Sequence, residues 1–152
     1  MAIFTREERA IIAQAKSILL AKSKAGQTVF DNPSIIKDYL MLNYAHYERE
    51  IFGVVMLDAK HRLIGIKVVC TGTLTSATID AREVIKVLLK NNAGSAFIFH
   101  NHPSGSIEPS KADIDLTHSL ANAFRIVDVR LLDHIVVGYE GAFSFMENRI
   151  NF

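Results

Sequence analysis

The sequence predicts one α/β domain, a mixed sheet flanked by helices, with a pair of helices ahead of it. Three observations carry that expectation. IFGVVML (51–57) and SAFIFH (95–100) are continuous apolar runs of strand length, the pattern of strands buried on both faces. Segments with helical periodicity lie between and after them, so strands and helices alternate through the later part of the chain. A chain of 152 residues, 49% hydrophobic and 22% charged, is also long and apolar enough to bury a core of its own.

The elements follow in order. A first helix starts behind Thr5, with Glu8 three residues on completing a capping box, and Ile11, Ile12, Ala15, Ile18, Leu19 and Ala21 recur at helical spacing. It is expected to fade at Lys24-Ala25-Gly26. A second helix begins at Asn32-Pro33, with Asn32 as cap and Pro33 at the first helical position, and Ile35, Ile36, Tyr39, Leu40 and Leu42 form its apolar face. Residues 1–46 are therefore expected to be an N-terminal helical extension, and residues 47–152 the domain proper. IFGVVML is the first strand, Asp58-Ala59-Lys60-His61-Arg62 turns the chain, and LIGIKVVCTG returns as its hairpin partner. Thr71 to Thr78 is rich in Thr, Ser and Gly and is expected to be a loop. A helix from about Ala81 to Asn91 is stopped by Asn92-Ala93-Gly94, and SAFIFH is a strand that ends at His100. Another helix runs from about Ser110 to Phe124, then VRLLDHIVVG and GAFSF supply the last strands. The predicted order is α-α-β-β-α-β-α-β-β.

The formal net charge is +1, and the longest basic cluster is Lys60-His61-Arg62, so no long-range field draws the chain to nucleic acid. Direct nucleic-acid binding is not expected. Cys70 is the only cysteine, which excludes an internal disulfide, and its apolar neighbours predict a buried strand thiol. The N-terminal MAIFTREERA carries charges where a signal peptide needs apolar residues, and no run reaches transmembrane length. A soluble, cytoplasmic protein without membrane contact is the expectation.

The stretch HNHPSGSIEPSKAD, from His100 to Asp113, holds the candidate chemistry. Residues i and i+2 of a strand share a face, so His100 and His102 present two imidazoles to one point if extended geometry continues through Asn101. Pro103-Ser104-Gly105 turns the chain, and Ser110 and Asp113 share one face of the helix that follows. Each piece alone has an ordinary reading: H-x-H arises by chance, Ser110-x-x-Asp113 is a capping box, and Pro103 and Gly105 are turn residues. Together, on a strand end, a turn and a helix start, they match a catalytic zinc set of two imidazoles and a carboxylate, with a fourth position for water. A hydrolase also needs a general base, and Glu48 and Glu50, just before the first strand, are the carboxylates placed for it. For at least one of them a solvated surface role is the simpler reading. Of the remaining histidines, His46 and His118 are expected on helix surfaces and His61 in a turn; His134 has two readings, a residue that orients a ligand from behind and a hydrogen-bonded core histidine, and the second is the simpler, so it is left outside the site.

His100, His102, Ser110 and Asp113 reproduce the signature of the JAMM/MPN+ metalloproteases: H-x-H, seven residues, S, two residues, D, with a glutamate upstream. The blocks EIFGVVMLDAKHRLI, GTL, DAREV, HNHPSG, PSKADIDLT and LLDHIVVG resemble more closely the RadC-like JAB-domain proteins, in order, from about Glu50 to Phe145. That resemblance implies a cytidine-deaminase-like JAB/MPN sandwich. It implies Zn2+ held by His100, His102 and Asp113, with Glu50 as acid/base, Glu48 as the second choice, and Ser110 donating to the developing oxyanion. The implied reaction is hydrolysis of a peptide or isopeptide bond in a protein substrate. Longer RadC-like proteins carry an N-terminal helix-hairpin-helix-like region suited to DNA. Here the first forty-odd residues hold only Gly26 and no G-x-G hairpin, so the chain resembles a short form, similar to those of mobile elements. A DNA-repair or mobile-element accessory protein and a non-catalytic MPN-type scaffold are the competing readings.

Overall fold

The computed structural model describes residues 4–24, 33–72 and 79–152. Its elements are α1 (Arg6–Lys24), α2 (Pro33–Tyr44), β1 (Ile51–Leu57), β2 (Leu63–Thr71), α3 (Ala81–Lys90), β3 (Ser95–Asn101), α4 (Lys111–Ile126), β4 (Arg130–Gly138) and β5 (Gly141–Ser144), in the predicted order. Gly26, the Asn32 cap and the 73–78 part of the expected loop lie outside the described residues. Thr5 and Glu8 form the predicted box: the Glu8 amide donates to Thr5 Oγ1 at 3.2 Å, and the Thr5 amide to Glu8 Oε2 at 2.7 Å. Among the described residues no helix is long and apolar enough to cross a membrane.

The five strands form one sheet in the order β2-β1-β3-β4-β5. β1 pairs antiparallel with both β2 and β3, β3 is parallel to β4, and β4 is antiparallel to β5. The parallel pair requires a crossover, and α4 is that crossover. Two buried clusters fill the two faces. Phe52, Val54, Met56, Ala96 and Ile98 pack with Val84 and Leu88 of α3 and with Leu116, Leu120 and Phe124 of α4. Ile51, Val55, Leu57, Phe97, Phe99, Ile135 and Val137 pack with Ile36 and Leu40 of α2. β1 and β3 are buried along their whole length because both of their faces are covered, which is why their sequences lack polar alternation.

One boundary and one burial differ from expectation. α4 continues past Phe124 to Ile126, with Val127 as C-cap, and the chain reverses at Asp128 with φ 56°. No glycine or proline marks that end, so sequence punctuation does not reveal it. β2 is an edge strand, so Cys70 is half-buried rather than buried as expected.

Gly138, at the end of β4, is where the HPSG turn lies across the sheet. A Cβ there would stand 2.3 Å from Gly105 O and 3.0 Å from Ser106 O. The turn itself is pinned by Gly105 N donating to His102 O at 2.9 Å, and by His102 N donating to Val137 O at 3.0 Å. Gly105 adopts φ +90°, a conformation that suits glycine. Gly138→Ala is accordingly expected to push the turn off β4 and to destabilise the fold by roughly 1–3 kcal/mol, the usual cost of overpacking. Urea unfolding of the variant measures it, and an unchanged midpoint would contradict the close packing.

Candidate metal centre

His100 is the next-to-last residue of β3, on the face shared with Ala96 and Ile98, the face that α4 covers. His102 follows in the first step of the turn. Asp113 lies in the first turn of α4, and that helix is set against the same face by Leu116, Leu120 and Phe124. The three side chains meet. His100 Nε2 is 2.9 Å from His102 Nε2, 3.3 Å from Asp113 Oδ1, and His102 Nε2 is 3.4 Å from Asp113 Oδ2. One ligand atom from each lies within 4.8 Å of the others. The side chains of His100 and His102 are 3% and 16% exposed, so the donors converge at the edge of the core, with access from one side.

Those separations test whether a metal suits the residues. Bonds of 2.0–2.2 Å at tetrahedral angles place neighbouring donors about 3.3 Å apart; the two nitrogens are 2.9 Å apart, and the Asp113 carboxylate meets His100 through Oδ1 at 3.3 Å and His102 through Oδ2 at 3.4 Å. His102 Nδ1 faces the carbonyl of Ser106 at 3.1 Å. A carbonyl only accepts, so Nδ1 carries a hydrogen, and Nε2 is the nitrogen that becomes a ligand once its own proton is lost. Two nitrogens and one carboxylate oxygen, so oriented, form a donor set for a divalent transition ion.

The ordinary reading of Ser110-x-x-Asp113 is also realised. Ser110 is the N-cap of α4, its Oγ accepts from the Asp113 amide at 3.1 Å, and Asp113 Oδ2 accepts from the Ser110 amide at 2.7 Å. The Ser110 hydroxyl donates to the same Oδ2 at 2.7 Å. The cap therefore orients the carboxylate. Burial works against ionising Asp113, but hydrogen bonds from His100 and His102 outweigh it and hold the carboxyl well below the ordinary carboxylate range. His102 is raised above the ordinary imidazole value, chiefly by its hydrogen bond to Asp113 against the opposing effect of burial, and Glu50 adds to the rise through its charge.

Glu50 is held beside the cluster through its backbone. Asn101 is fully buried, its Oδ1 accepts from Ile51 N at 2.7 Å, and its Nδ2 donates to the carbonyls of Tyr47 and Arg49. Gly72 N donates to Glu50 O at 2.8 Å. In the β1–β3 register Phe52 stands opposite His100, where the pairing ends, and Glu50, two residues before Phe52, lines the same cleft as His102. Glu48, Arg49, Glu50, Gly72, His102, Pro103 and Ser104 line a cleft of about 720 Å³. Glu48 lies on the exposed side of that cleft, and Glu50 is half-buried.

Sequence alone leaves three neighbours of the cluster out. His134, fully buried on β4, places Nε2 2.8 Å from His100 Nδ1 and Nδ1 2.6 Å from Thr117 Oγ1, so its core location and its contact with the site coexist. Thr117, one turn along α4 from Asp113, was legible only as a helix residue. Asn101 was legible only as the residue between two histidines. His118 is exposed on α4 and His61 sits in the β1–β2 turn, both as expected, whereas His46 sits in the turn after α2 rather than on a helix surface.

A family model described as a RadC-like JAB domain matches residues 30–150. The chain is 44% identical over 141 residues to a UPF0758 protein of Leptothrix cholodnii, covering 93% of this chain and 63% of that protein. It is 44% identical over 142 residues to a UPF0758 protein of Methylibium petroleiphilum, covering 93% and 64%. A UPF0758 protein of Pseudoalteromonas translucida is 44% identical over 119 residues, covering 78% and 53%. The chain thus spans somewhat under two thirds of the length of these curated relatives.

Metal titration tests the cluster. Purified protein is expected to take up one divalent ion per chain, and His100→Ala with His102→Ala together to abolish uptake while circular dichroism shows the fold retained. A metal needs neutral imidazoles. Since His102 holds its proton to a pH above the ordinary imidazole value, affinity should climb with pH through that range and level off only above it. Competition titrations between about pH 6 and about pH 8.5 measure the slope, and a flat profile would show that His102 is not a ligand.

Proposed function

The chain belongs to the RadC-like JAB-domain family, and from that membership and the geometry of the cluster we propose that it is a zinc-dependent metallopeptidase or isopeptidase. The observation that carries this reading is the convergence of His100, His102 and Asp113 beside a cleft lined by Glu48 and Glu50. The donor set favours Zn2+, which takes two imidazoles, a carboxylate and a water in tetrahedral array. It also favours catalysis over a structural scaffold, which needs no such donors. When bound, the ion would supply Lewis acidity, lowering the pKa of a bound water to about 7.

The chain's own residues do the rest. His100, His102 and Asp113 hold the ion. Glu50 accepts the proton of the attacking water and returns it to the leaving amine, so that no covalent enzyme intermediate forms. Its support is positional: Asn101 holds the carbonyls of Tyr47 and Arg49 and the amide of Ile51, Glu50 and His102 line one cleft, and the charge of Glu50 is felt at His102. Glu48 is the alternative, farther out on the cleft wall. Ser110 donates its hydroxyl to the oxyanion that develops on the scissile carbonyl. That role requires the hydroxyl to leave Asp113 Oδ2, the acceptor it uses in the cap. The substrate is a peptide, or a protein joined through an isopeptide bond, entering the cleft in extended form.

Glu50→Gln is expected to keep the fold and the metal and to lose hydrolysis by roughly 10²–10⁴-fold, with Glu48→Gln close to the parent. A panel of peptide and isopeptide-linked substrates, read by product mass, measures both. Normal cleavage by both variants would place the base elsewhere.

A further inference from the structure

Behind His100 runs a chain of hydrogen bonds whose direction is fixed at its far end. Thr117 Oγ1 lies 2.5 Å from the backbone carbonyl oxygen of Asp113. Two oxygens at that distance repel unless a hydrogen lies between them, and the carbonyl has none to give. The single hydroxyl hydrogen of Thr117 is therefore directed at Asp113 O, the back-bond of a helical threonine to the residue four before it. Thr117 Oγ1 also lies 2.6 Å from His134 Nδ1. Its hydrogen being engaged, it can only accept there, so His134 carries its hydrogen on Nδ1. His134 Nε2 is then a bare acceptor, and it lies 2.8 Å from His100 Nδ1. His100 must donate from Nδ1, which leaves the lone pair of its Nε2 facing His102 and Asp113.

His102 Nε2 lies 2.9 Å from His100 Nε2, so in the metal-free protein the hydrogen between the two rings belongs to His102. Thr117 and His134 are fully buried and His100 nearly so, and the His134 ring stacks on Phe145 with centroids 4.6 Å apart, with Phe52 edge-on to it at 6.5 Å. Reversing the chain would set Thr117 Oγ1 against Asp113 O with no hydrogen between them, and would put a hydrogen on His100 Nε2, at the position where a ligand needs its lone pair.

We propose that Thr117 and His134 are positioning residues that hold His100 in its Nδ1–H tautomer and so keep its Nε2 ready for a metal. The inference deepens the metal-site reading and rests on it for its consequence, though the tautomer itself does not. It ties the ligand on β3 to the helix that supplies Asp113: one hydroxyl on α4 sets the electronic state of a ring on the neighbouring strand. His102 keeps its Nδ1 hydrogen independently, on the Ser106 carbonyl.

The test reads tautomers directly. Long-range proton–nitrogen correlation spectra of protein stripped of metal, at a pH near 8.5 where free imidazoles are neutral, distinguish protonated from bare ring nitrogens. The parent should show Nδ1–H at both His100 and His134. Thr117→Val removes the acceptor for His134 Nδ1, so His134 should shift toward Nε2–H and His100 should follow. Zinc affinity, measured by chelator competition, should fall roughly 10–100-fold. Thr117→Ser keeps a hydroxyl and should restore both the tautomers and the affinity. His100 found as Nε2–H in the parent, unchanged tautomers in Thr117→Val, or a Thr117→Ser protein as weak as Thr117→Val would each overturn the inference. Should the parent take no zinc, the metal-site reading fails, and the tautomer spectra still decide this one. Should Thr117→Val not fold, the parent spectrum and Thr117→Ser decide it.

Discussion

The reciprocal cap between Ser110 and Asp113 is the constraint on which the site depends. One carboxylate closes the first turn of α4 and faces both imidazoles, so the start of the helix and the shape of the cluster cannot be set separately. An N-cap contributes about 1 kcal/mol to helix stability, and a carboxylate at a helix N-terminus gains further from the helix dipole. The two imidazoles, with a smaller contribution from the Ser110 hydroxyl of the cap, keep Asp113 ionised against burial, which is the state a metal ligand must have.

The cap acts at the right place only because the remainder of α4 is anchored. Leu116, Leu120 and Phe124 lie on the face of the sheet that carries His100, and burial of such side chains contributes about 1.5–3 kcal/mol each. On the opposite edge of the site, buried Asn101 ties the entry to β1 onto the end of β3. The HPSG turn is held against Gly138 by close packing and by two backbone hydrogen bonds. Ligands and candidate base therefore stand on three separately anchored pieces, converging at the end of β3. Preorganisation of that kind keeps a small cluster from relaxing apart.

Much of this was legible in the sequence, because the relevant signals are local. The apolar runs of β1 and β3, the caps at Thr5 and Ser110, and the H-x-H and S-x-x-D spacings all act within a few residues. The strand order was not legible, since buried strands carry no alternation to show which neighbour each one takes. His134 and Thr117 escaped for the same reason. They reach each other and His100 across 17 and 34 residues, through the parallel pairing of β3 with β4 and the crossover of α4. A histidine in an apolar strand looks like core from its neighbours, and here it is core as well as neighbour to a candidate ligand. The choice between Glu48 and Glu50 likewise depends on how the entry to β1 is held against the end of β3, which spacing alone does not supply.

Anomalous diffraction at the zinc edge, from crystals grown with stoichiometric zinc, tests the central claim most directly. One strong peak is predicted, 2.0–2.2 Å from His100 Nε2, His102 Nε2 and a carboxylate oxygen of Asp113, with the Glu50 carboxylate within hydrogen-bond reach of the fourth position. A map with no peak among these three residues, and with zinc bound elsewhere on the chain, would contradict it.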